Sequence, residues 1–81
     1  MAWVEIPPRL RHHTHGRARL EVDGRNVRAL LETLEQRFPG LGHELAKGAI
    51  AIDGEIVNDP LLEPIDPDSE IHFLPRIGGG R

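Results

Sequence analysis

The sequence contains no cysteine. That excludes disulfides, thiolate metal sites and catalysis by a thiol nucleophile, and it leaves packing alone to hold the domain together. No apolar run approaches the roughly 18 residues of a bilayer-spanning helix. The opening Met1-Ala2-Trp3-Val4-Glu5 has neither the basic start nor the apolar stretch of a signal peptide. The expectation is a cytoplasmic protein with no membrane partner. An excess of positive charge is also missing. The formal net charge is −3, and phosphate binding needs a net basic face, so nucleic acid is not expected as the main partner. Apart from histidine, the aromatic side chains are Trp3, Phe38 and Phe73.

What is present suits one small globular domain: 81 residues, 38% hydrophobic and 28% charged. A chain this short buries only about 60–65% of the surface that its unfolded form exposes, so its core must be compact.

Val4 and Ile6 alternate with Glu5, which predicts a strand over residues 2–6 that Pro7-Pro8 stop. Residues 9–16 read as a basic, histidine-bearing connection ending at Gly16. Residues 17–22 alternate strictly, with Ala18, Leu20 and Val22 on one face, which gives a second strand and a hairpin with the first. Asp23-Gly24 is a turn signal. Val27, Leu30, Leu31, Leu34 and Phe38 recur at spacings of three and four, the apolar stripe of a helix whose end places Phe38 in the core. Asn26 or Asp23 can cap its start, and Pro39-Gly40 ends it. Leu41 and Leu45 suggest a short second helical turn. Residues 49–52 and 55–57 form a hairpin turning at Asp53-Gly54. The proline- and aspartate-rich stretch 58–69 is a loop with one short turn near Leu61-Leu62. Residues 70–75 form a last strand with Ile71 and Phe73 on one face. The expected fold is α+β: a mixed sheet of four or five strands, the first and last strands adjacent at its middle, and one main helix across one face.

The end of the chain is its most informative segment. The last strand runs through Phe73-Leu74-Pro75-Arg76-Ile77 into Gly78-Gly79-Gly80-Arg81. Without a Cβ, three glycines make a thin, flexible strip of backbone that threads where no side chain fits. The division is a domain over residues 1–76 and a flexible glycine tail over 77–81. Such a strip carries information if its carboxylate is the working group; otherwise it is a frayed terminus.

Other clusters read more plainly. His12, His13 and His15 could in principle meet a metal ion, but residues this close on a loop seldom converge on one ion, so no metal site is expected. Arg9, Arg11, Arg17 and Arg19 make the same region basic, a solvated edge or a docking patch for an acidic partner. Asp66, Asp68 and Glu70 lack the glycine hinge of a calcium loop and read as surface. No catalytic triad or carboxylate pair is arguable from spacing, so the chain is not expected to be an enzyme. Trp3 or Phe73, with Leu74, Pro75 and Arg76 beyond it, could offer the surface by which the domain docks its partners.

Several segments together resemble a known family. The opening strand runs into Pro8-Arg9-Leu10-Arg11 and a loop closing on Thr14-His15-Gly16. The helix reads Val27-Arg28-Ala29-Leu30-Leu31-Glu32-Thr33-Leu34 and ends in Phe38-Pro39-Gly40-Leu41; the hairpin reads Ile52-Asp53-Gly54-Glu55-Ile56-Val57. The close is Asp66-Pro67-Asp68-Ser69-Glu70-Ile71-His72-Phe73-Leu74-Pro75 with the glycines. Over nearly its whole length the chain resembles the ubiquitin-like β-grasp proteins of the MoaD/ThiS family of sulfur carriers, which includes carriers of molybdopterin and thiamine biosynthesis.

The resemblance implies a carrier cycle with no bound cofactor. A ubiquitin-activating-type adenylating enzyme would use ATP to activate the terminal glycine carboxylate, sulfur would replace AMP, and the thiocarboxylate would pass to a sulfur-acceptor enzyme. Aligned from Leu74-Pro75, the family's terminal diglycine falls on Gly79-Gly80, so Arg81 is one residue too many. The expectation is that a tail-trimming peptidase removes it, leaving Gly80 as the acyl site and Gly79 and Gly78 as the threading segment. Two alternatives stay open: a ubiquitin-like modifier conjugated through the same terminus, and a plain β-grasp binding module.

Overall fold

A computed structural model of the chain describes residues 1–57 and 60–74. Five strands form one sheet: β1 (Ala2–Glu5), β2 (Arg19–Val22), β3 (Ala49–Ile52), β4 (Glu55–Val57) and β5 (Glu70–Leu74), in the order β2-β1-β5-β3-β4. β1 and β5 run parallel at the centre, Val4 opposite Ile71, and the other pairings are antiparallel. The adjacency expected of the first and last strands is therefore present.

Helix α1 (Val27–Arg37) covers one face of the sheet and is followed by α2 (Leu41–Leu45). Asn26 caps α1: its backbone is extended, and its Oδ1 accepts from the Ala29 N–H at 2.9 Å, satisfying one of the orphan donors of the first turn. The stripe Val27, Leu30, Leu31 and Leu34 is buried against Val4, Leu20, Val22, Ile50, Ile71 and Phe73. Phe38 departs from expectation. As the residue that ends α1 it packs against the core but stays partly exposed, and the Arg37 guanidinium lies 5.3 Å from its ring centroid. Among the described residues no helix is long and apolar enough to cross a membrane.

The connection after β1 is not an irregular loop but a 3₁₀ helix over Pro8–Thr14. Proline suits its first position because the missing N–H would have had no partner there. Buried Leu10 anchors it to the core. Thr14, also buried, donates its hydroxyl towards the carbonyls of Arg11 and Arg17, at 3.2 and 2.8 Å. Leu10 and Thr14 stand four apart, and that spacing was the available signal; the surrounding arginines and histidines masked it.

The β3–β4 turn places Asp53 at φ 51° and Gly54 at φ 88°. Positive φ at both central positions matches the strand twist and explains the Asp-Gly pair. The Asp53 carboxylate then accepts from the Glu70 N–H at 2.9 Å and from the buried Ser69 hydroxyl at 3.1 Å. This turn is thereby tied to the start of β5.

Candidate functional site

The tail leaves the domain from β5. As the central strand, β5 is paired on both sides, to β1 and to β3, so its last described residue, Leu74, is anchored opposite Ala49. The approach there is close: a Cβ on Gly48 would run into the Leu74 carbonyl oxygen. Glycine at this position lets the segment between α2 and β3 lie flat against the end of β5.

Strand alternation sorts the expected docking residues. Phe73 shares the core face with Ile71, stands opposite Ile50 and is only 6% exposed. This corrects its expected place on the open face: α1 covers the side of the sheet to which Phe73 points. Trp3 and Leu74 lie on the other face, 37% and 36% exposed. Ile56 joins them; its partner Ala51 pairs in turn with His72, and it is 67% exposed. Ile56 was missed in the sequence, although Val57, its neighbour, pairs with Ile50 and so takes the inward position. Arg19 lies 4.6 Å over the Trp3 ring and is within 3.3 Å of Glu5 and 3.5 Å of Glu70. The open face is thus apolar at Trp3, Leu74 and Ile56, with a charged strip between. Pro75, Arg76, Gly78, Gly79, Gly80 and Arg81 lie outside the described residues.

The histidines do not assemble a metal centre. The His12 and His13 rings lie 4.2 Å apart, tilted by 36°, and His13 packs towards Gly40. Among the described residues no three histidine, aspartate or glutamate side chains gather where they could hold an ion.

Glu35 has a structural role. Its carboxylate accepts the backbone N–H of Gly40 at 2.7 Å and of His43 at 3.0 Å, capping the start of α2 from α1. Those two bonds, Gly40 first, hold its carboxyl below the ordinary carboxylate range. A group more acidic in the folded than in the unfolded chain stabilises fully above the ordinary range, and less as pH falls through its lowered folded value. Glu35→Gln is therefore expected to lower the urea midpoint most near neutral pH, the gap to wild type closing in acid. Parallel curves would remove the carboxylate's charge from the explanation.

A family model described as the ThiS family matches residues 4–80, taking in Gly78, Gly79 and Gly80 and leaving out Arg81. The chain belongs to the ThiS family. Solved structures resemble this ThiS-family chain over nearly its whole length. CysO of Mycobacterium tuberculosis, described as an antigen, matches at a TM-score of 0.86 and 22% identity, over 95% of this chain and 100% of that one. A chain of the Amycolatopsis orientalis BexX/CysO complex gives 0.84 and 25%, over 99% and 100%. The small archaeal modifier protein SAMP1 of Methanosarcina acetivorans gives 0.79 and 22%, over 98% and 95%. No curated protein matches. The fold of this ThiS-family chain is the ubiquitin-like β-grasp.

Proposed function

We propose that the chain is a sulfur carrier whose working group is the main-chain carboxylate of Gly80. The observation that carries this reading is the family match running through Gly78-Gly79-Gly80 and stopping before Arg81. A carboxylate is a poor electrophile. In the proposed cycle it attacks the α-phosphorus of ATP on a partner adenylating enzyme, and pyrophosphate leaves. A sulfur nucleophile then attacks the acyl carbon, AMP leaves, and a thiocarboxylate remains for an acceptor enzyme. Cleavage after Gly80 by a peptidase precedes the cycle.

In this reading the protein is a substrate and not a catalyst. Its fold anchors the tail on a doubly paired strand, and Gly78-Gly79-Gly80 supply a segment thin enough for a channel. Trp3, Leu74 and Ile56, with Pro75 and Arg76 following, form the docking face. Dependence on ATP suits a cytoplasmic place of work. The BexX/CysO complex is a precedent for a related chain seated on a partner protein. The likeness to SAMP1, named as a modifier, favours a second reading in which a lysine amine takes the activated acyl group.

The test uses protein ending at Gly80, an adenylating enzyme from the same host, ATP and sulfide. A mass gain of one sulfur-for-oxygen exchange at the terminus is expected. Higher-mass conjugates would support modification, and an unchanged mass would leave a binding module.

A further inference from the structure

The two ends of the sheet carry opposite charge, and the axis between them runs along the strand that feeds the tail. Parallel pairing sets the end of β1 beside the end of β5, so the connection after β1 lies at the edge where β5 finishes. That connection holds Arg9, Arg11 and Arg17, and between Ile6 and Ala18 no carboxylate at all. Arg9 and Arg17 are exposed, and neither side chain enters an ion pair or a hydrogen bond among the described residues. Arg11 is fixed by donating its Nε–H to the Ile6 carbonyl at 2.9 Å. Lys47 stands on the other side of Leu74, next to Gly48; its ammonium lies 3.0 Å from Glu44, and Glu5 at the end of β1 is paired with Arg19.

The far end is the reverse. Asp23 follows β2, Asp53 and Glu55 flank the β3–β4 turn, and Asp66, Asp68 and Glu70 lead into β5. Arg19 pairs with Glu70 at 3.5 Å, and Arg25 and the Met1 amino group also lie at this end, so its negative charge is partly offset. A chain with a formal charge of −3 thus keeps a basic end where the tail departs.

We propose that this basic end, centred on Arg9 and Arg17, is a docking collar for an acidic protein surface around the mouth of the activating enzyme's channel. The proposal rests on the reading that Gly80 is activated. Charge separated along the strand axis turns the molecule tail-first towards an acidic partner. Steering of this kind raises association rates by about 10–1000-fold and fades with ionic strength. Charges on the rim of an interface act on encounter more than on chemistry, so the effect falls on KM and spares kcat.

The experiment compares Arg9→Glu/Arg17→Glu with Arg25→Glu/Arg28→Glu, which makes the same change of net charge at the start of α1, away from the collar. Thermal unfolding first verifies that both fold. ATP–pyrophosphate exchange is then followed with carrier ending at Gly80 and the host's adenylating enzyme, across a salt series. The collar variant is expected to lose about tenfold or more in kcat/KM at low salt, keep kcat, and show a flattened salt dependence; the control stays near wild type. Equal losses in both variants would reduce the effect to net charge and overturn the collar, as would a collar variant indistinguishable from wild type. Wild-type protein that supports no exchange brings down the activated-terminus reading and the collar with it, a result distinct from an active wild type with an indifferent collar.

Discussion

Deleting Gly79 and Gly80 is expected to abolish sulfur loading completely while moving the thermal unfolding midpoint by no more than about 3 °C. The chemistry gives the first half. Prepared to end at Gly78, the variant keeps a glycine carboxylate, but one two residues short of the position that the partner's reacting centre would meet. The structure gives the second half: the buried core runs from Ala2 to Phe73, and the last described strand ends at Leu74. The missing cysteine makes the measurement clean, because sulfur gained by this protein cannot be a mixed disulfide. Intact mass after reaction with enzyme, ATP and sulfide is the readout. A deletion variant that still gained sulfur would place the acceptor elsewhere in the chain.

Leu30→Ala is expected to cost about 3 kcal/mol and to lower the unfolding midpoint by about 15 °C. Leu30 is fully buried in the first turn of α1, and the chain at Gly24 packs directly against its backbone, which restricts how far the helix can settle into the cavity. For 81 residues the whole stability is about 4–12 kcal/mol, so this one side chain is a large share of it. Urea unfolding measures the loss. Below the lowered midpoint the folded variant should load sulfur normally, because the terminal carboxylate is unchanged. A loss below about 1 kcal/mol would mean that α1 is not packed as described.

Much of the fold was legible because its signals are local. The spacing of Val27, Leu30, Leu31 and Leu34 states a helix, Asn26 states its start, and Asp53-Gly54 states a hairpin whose φ values only a few residue types adopt without strain. The 3₁₀ helix was harder. Its two anchors, Leu10 and Thr14, are scattered among charged neighbours, and seven residues offer no full apolar stripe.

By itself the sequence determined that no thiol is available and that the tail ends in three residues without side chains, Gly78, Gly79 and Gly80, before Arg81. It also determined where α1 and the two hairpins form, since periodicity and turn chemistry act between near neighbours. Only the tertiary structure decided that Phe73 is buried while Trp3 and Leu74 face outward, because alternation defines two faces and α1 chooses between them. It alone decided that the arginines of residues 9–17 stand where β5 ends, because that position follows from parallel pairing between strands some 65 residues apart in the chain, which no local spacing encodes.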